Sequence, residues 1–96
     1  MSYRITQKDL ECLRDRINET TGSPMAAYTK QADGTFKGNI GHYCLDYAYG
    51  GVKLERFVNE HGGVETITTG GYGTKRELYD KMQAFLAGIA EGKQAQ

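Results

Sequence analysis

The sequence predicts an α+β fold of order αββββα, an antiparallel sheet of about four strands with two helices packed on one face. Three observations predict it. Apolar residues recur at helical spacing near both ends of the chain, each time behind a capping signature. Residues 25–70 between them are rich in Tyr, Val, Thr and Gly and alternate apolar with polar. Glycine-marked turns at Asp33-Gly34, Gly50-Gly51 and His61-Gly62-Gly63 divide that stretch into short strands, which favours a meander. Helices and sheet each with one apolar face give a two-layer sandwich. The 96 residues make a single domain, 1–96.

The first helix starts at Thr6, with Asp9 three residues on as an Asp variant of the capping box. Ile5 before the cap and Leu10 inside the helix have the spacing of a hydrophobic staple. Leu10, Leu13 and Ile17 form the core stripe. The helix fades near Thr20 and Gly22-Ser23-Pro24 stops it.

Asp33-Gly34 joins Ala26–Gln31 to a strand from Thr35 onward as a hairpin. Tyr43, Leu45 and Tyr47 then alternate with His42, Cys44 and Asp46, and Val52 and Leu54 with Lys53 and Glu55. Charge suggests the register. A two-residue Gly50-Gly51 loop would place Asp46 opposite Glu55, whereas a four-residue loop, Ala48–Gly51, places Asp46 opposite Lys53 and Leu45 opposite Leu54. The second register is expected. It leaves His42, Cys44, Asp46, Lys53, Glu55 and Phe57 on the face away from the helices, solvated or covered by a partner. Val64–Thr69 makes a last short strand. The second helix opens on a capping box, Thr74-Lys75-Arg76-Glu77, and buries Leu78, Met82, Phe85, Leu86 and Ile89. Gly92 ends it, and residues 92–96 form a frayed tail.

Twelve basic and twelve acidic residues give a formal net charge of zero, and each half of the chain is balanced. That argues against a basic nucleic-acid binder, a polybasic membrane anchor and an acidic tail. No apolar run approaches the roughly 20 residues that span a bilayer, so no membrane partner is expected. Cys12 and Cys44 are too few for a disulfide framework, and free thiols point to the cytoplasm.

Several clusters invite a chemical reading. His42 and Cys44, with His61, fall short of the three or four ligands zinc takes at about 2.0–2.3 Å. Cys44 as a nucleophile with a histidine base would need a depressed thiol pKa, and it sits mid-strand. Cys12, on a helix flank, offers less. No catalytic residue, metal ligand or cofactor is therefore assigned, and the chain reads as non-enzymatic. Gly71, Gly73, Thr74, Lys75 and Arg76 lead into a helix N-terminus and form the candidate site for a small phosphorylated ligand, though the P-loop spacing is absent. Tyr43, Tyr47 and Tyr49 resemble a base-stacking platform but lack a basic surround, which argues against nucleic acid as a direct partner. Core packing is the better reading of that tyrosine face. The preferred surface is a loop edge offering Tyr49, Asn59, Glu60 and His61 to a protein partner, with His42 and Phe57 on the open sheet face. A homodimer through a sheet face or edge is the structural alternative.

One further pattern spans about residues 8–90. It comprises Thr21-Gly22-Ser23-Pro24, Asn39-Ile40-Gly41-His42-Tyr43, Ala48-Tyr49-Gly50-Gly51, Val58-Asn59-Glu60-His61-Gly62-Gly63, Lys75-Arg76-Glu77-Leu78-Tyr79 and Phe85-Leu86-Ala87-Gly88. In order and spacing the chain resembles small accessory proteins of tailed phages and prophages. The resemblance implies a phage or prophage gene product acting in the bacterial cytoplasm. It brings no catalytic residues. By analogy it implies a protein that binds a host or phage protein, for example as an anti-CRISPR-like inhibitor of a defence complex.

Overall fold

The computed structural model describes residues 4–68 and 70–94. Thr69, the end of the last predicted strand, and Ala95 and Gln96 of the predicted tail lie outside the described residues. The elements run α1 (Gln7–Thr21), β1 (Tyr28–Lys30), β2 (Phe36–Gly38), β3 (Tyr43–Ala48), β4 (Gly51–Phe57), β5 (Val64–Thr66) and α2 (Lys75–Gln94). The α+β class and the packing of both helices on one sheet face are as expected. The strands number five rather than four among the described residues, and they divide into a β1–β2 hairpin and a β3–β4–β5 meander.

The helix ends follow local chemistry. Thr6 caps α1 in a reciprocal capping box with Asp9, and Gly22 closes it in the left-handed conformation at φ 71°. Ile5 and Leu10 are both buried, as the staple requires. At α2 the Glu77 amide donates to Thr74 Oγ1 at 3.1 Å, and the Thr74 amide donates to Glu77 Oε1 at 3.2 Å. The Thr74 amide first, then the Thr74 side chain, hold the Glu77 carboxyl below its ordinary value. α2 continues through Gly92 to Gln94, so that glycine does not stop it. A single glycine costs a helix only about 1 kcal/mol, less than its packed face supplies.

The meander register is the one that charge favoured: Leu45 opposes Leu54 and Asp46 opposes Lys53. The loop is shorter than predicted, because Ala48 and Gly51 also pair. Tyr49 and Gly50 make a two-residue turn with φ 53° and φ 74°, the signs of a type I′ turn that matches strand twist.

The core lies between the helices and the face carrying Tyr43, Leu45, Val52 and Leu54. Leu10, Ile17, Leu54 and Met82 are fully buried. Asn18 is fully buried among them. Its Oδ1 accepts from the Tyr43 amide at 2.8 Å and its Nδ2 donates to the Tyr43 carbonyl at 3.1 Å. Pairing with β4 leaves alternate β3 backbone groups facing outward, and this helix side chain takes the first pair of them.

The β1–β2 hairpin covers the other end of the sheet. Tyr28 stands edge-on to Phe57 at 5.4 Å, and His42 does so at 5.6 Å. His42 Nδ1 donates to the Pro24 carbonyl at 2.8 Å. Two predicted contact residues are thereby corrected. His42 and Phe57 are 5% and 6% exposed, filled in by the chain's own hairpin rather than offered to a partner. Gly38 joins the two parts: its amide donates to the Glu60 carbonyl at 2.7 Å, and a Cβ there would stand 3.0 Å from the same oxygen.

Candidate functional site

A meander places successive turns at opposite ends of the shared strand. Tyr49 precedes β4 and Asn59 follows it, and β4 has seven residues. At roughly 3.3 Å per residue the two turns stand about 20 Å apart. The predicted loop edge of Tyr49 with Asn59, Glu60 and His61 is therefore not one surface. The Asn59–His61 turn also has structural work of its own. Asn59 Oδ1 accepts from the His61 and Gly63 amides, each at 2.9 Å. Glu60 faces Lys37 at 3.5 Å across to β2. His61 remains exposed at that end.

The Tyr49 end is different. Here the chain forms a cleft of about 730 Å³ lined by Arg4, Ile5, Tyr47, Ala48, Gly50 and Gly51, and by Val52 and Gly73–Arg76. The size suits a peptide segment or small ligand. Three of the lining residues are cationic, Arg4, Lys75 and Arg76, and none is acidic. Residues Gly73–Arg76, read from sequence as part of an anion site, thus meet the turn that carries Tyr49, read as a contact residue: Ala48 and Gly50 on either side of Tyr49 line the same cleft. Gly71 lies in the loop that leads to it.

Backbone pairing joins the two segments. Val52 and Gly73 exchange both backbone hydrogen bonds, at 2.9 and 3.1 Å. The approach is close enough that a Cβ on Gly51 would lie 2.9 Å from the Gly73 carbonyl oxygen and 3.1 Å from Tyr72 Cβ. The two adjacent glycines therefore serve different ends: Gly50 supplies positive φ, and Gly51 admits the neighbouring loop. Gly51→Ala should push the 70–74 loop off β4 and cost about 1–3 kcal/mol. Denaturant unfolding and hydrogen exchange at the Val52 and Gly73 amides check this, and unchanged protection at both would refute it.

Tyr72 extends the join onto the other sheet face. Its hydroxyl donates to Asp46 Oδ2, its ring lies 4.5 Å from Lys53 Nζ, and Lys53 in turn faces Glu55 at 3.4 Å. The bond to Asp46 pushes the Tyr72 phenol up to about 12. The face expected to be solvated or covered by a partner is partly covered by this tyrosine. The same surroundings act on Cys44. Desolvation first, then the Glu55 and Asp46 carboxylates, push its thiol up to about 11, so it stays protonated at neutral pH. A neutral thiol is a poor nucleophile and a poor metal ligand. Among the described residues no three His, Cys, Asp or Glu side chains gather as a metal site.

The tyrosines divide. Tyr43 is core at 5% exposure, as its strand face predicts. Tyr47 and Tyr49 are 44% and 94% exposed and do not pack under the helices. Tyr47 forms a wall of the cleft. Tyr49 stands at the rim, edge-on to Tyr72 at 5.5 Å. Arg4 is the cationic cleft residue that sequence reasoning missed. Its only signal was a position just before the Ile5 staple, which fixes how the chain enters α1.

The α2 N-terminus is less open to an anion than its sequence suggests. The Thr74 and Glu77 amides are already bonded within the capping box, and the Glu77 carboxylate sits at the positive end of the helix. Charge in the cleft is delivered by side chains. Among the described residues no helix is long and apolar enough to cross a membrane. No family model, curated protein or solved structure matches this chain.

Proposed function

We propose that this chain is a non-enzymatic binding protein that acts by covering a surface of another protein, with Tyr49 and the adjoining cleft as its contact surface. One observation carries the reading. Tyr49 is 94% exposed and holds φ 53°, a left-handed conformation that Gly, Asn or Asp adopts at lower cost. Beyond its edge-on contact with Tyr72, an aromatic ring so exposed is available to something outside the fold, and strained exposed residues concentrate at binding sites. Tyr and Arg beside a concave surface are the residue types that dominate contact energies. Together with the resemblance to phage and prophage accessory proteins, this favours a partner in the bacterial cytoplasm, and inhibition of a host or defence complex is the concrete version. A small phosphorylated ligand at the same cations is the second reading, favoured by the cleft's size and opposed by the occupied capping box.

The test uses the wild-type chain and Tyr49→Ala as paired baits in a bacterial lysate. A protein recovered in stoichiometric amount with wild type and lost with Tyr49→Ala supports the proposal. Equal recovery with both baits, or a wild-type chain that is recovered alone, would overturn it. Light scattering on the purified chain separates that last case into a monomer or a homo-oligomer.

A further inference from the structure

We infer that the surface recognised by the cleft is an acidic segment of a protein, whose carboxylates are received by Arg4 and Lys75. The inference rests on the binding role proposed above and adds the partner's chemistry. The chain as a whole is neutral, with twelve charges of each sign. The cleft departs from that balance: three of its lining side chains are cationic and none is anionic. The cations come from two segments about 70 residues apart in sequence, Arg4 before α1 and Lys75 and Arg76 at the start of α2. Folding has gathered them on one concave surface. Arg4 and Lys75 are exposed residues, so they can meet carboxylates without a large desolvation cost.

The surroundings choose among anions. A nucleic acid needs cations that continue along several phosphates. Beyond this cleft, on the other sheet face, Lys53 lies with Asp46 and Glu55, so no row of cations continues there for such a backbone. A bare phosphate is bound best by free backbone amides at a helix start, and here the capping box takes the Thr74 and Glu77 amides. A short acidic stretch fits instead. It needs two or three carboxylate positions and an apolar wall, and Tyr47, Ala48 and Ile5 supply the wall. Arg engages carboxylates with two parallel hydrogen bonds, which gives the contact direction as well as charge.

The experiment is an NMR titration of the isotopically labelled full chain, with an oligo-glutamate peptide, an oligo-lysine peptide, oligothymidylate and inorganic phosphate as probes. Oligo-glutamate should move the amides of Tyr47, Ala48, Gly50 and Lys75. The affinity should fall about tenfold when salt rises from about 0.05 M to about 0.5 M. Arg4→Glu with Lys75→Glu should abolish the effect with an unchanged thermal melt, and Arg4→Gln with Lys75→Gln should weaken it, which excludes a folding artefact. The inference is overturned if oligo-glutamate moves nothing, if the charge-reversed variant responds like wild type, or if oligothymidylate or phosphate binds the same residues more tightly. Shifts on simple dilution would instead assign the surface to a second copy and also overturn it. The two proposals fail separately. A lysate partner lost with Tyr49→Ala but kept by Arg4→Glu with Lys75→Glu leaves the binding role standing and removes the acidic segment.

Discussion

Asn18→Leu should destabilise the chain by about 2–3 kcal/mol, although the substitution adds apolar volume of nearly the same size to a buried position. The loss comes from β3. With Asn18 gone, the amide and the carbonyl of Tyr43 have no partner on the side away from β4. Each is walled off from water by α1, and a stranded buried polar group costs about 1–3 kcal/mol. The side chain is shaped for the task, since one amide group donates and accepts at the same time. Asn18→Asp should do no better, because it keeps the acceptor, loses the donor and buries a charge. Urea unfolding checks the pair, and a midpoint unchanged in Asn18→Leu would show that β3 does not need the bond.

Leu54→Ala should cost more, about 2–5 kcal/mol. Leu54 is fully buried at the middle of β4, opposite Leu45 and within the core cluster that both helices share. No helix can settle into the void, because α1 is fixed through Asn18 and α2 through the Gly73–Val52 pairing at its foot. For a domain of this size each kcal/mol lowers the melting temperature by roughly 4–8 °C. A drop of less than about 5 °C, read by calorimetry, would mean that the sheet collapses onto the cavity more readily than this geometry allows.

What was legible in the sequence was local. Both capping boxes lie within four residues of themselves, and both formed. The β3–β4 register followed from setting Asp46 against Lys53 rather than Glu55, a comparison between neighbours across one turn. The division of the strands into two sheets was not legible. After β2 the chain folds back: the Asn39 amide bonds to the Ala27 carbonyl, and Gly41 at φ 93° turns the chain before β3. Hydrophobic alternation carries no record of that break. Phe57 and His42 read as members of a polar face because their cover, Tyr28 of the hairpin and Pro24 of the loop before it, comes from earlier in the chain. Asn18 is a single polar residue on a helix, with nothing in its spacing to mark the strand it serves. The cleft was seen as two halves, one as a loop and one as a helix start. Only tertiary structure adds Arg4 and sets them side by side.

The left-handed tyrosine at the hairpin tip sets a trap for directed evolution. A library sorted on heat resistance alone will find asparagine or glycine at position 49 early, since either relieves the backbone and neither disturbs the core. The winners would be sturdier molecules with a bare tip. Thermal selection of this chain therefore has to carry a capture step beside it, or it will enrich survivors that have lost the proposed contact residue.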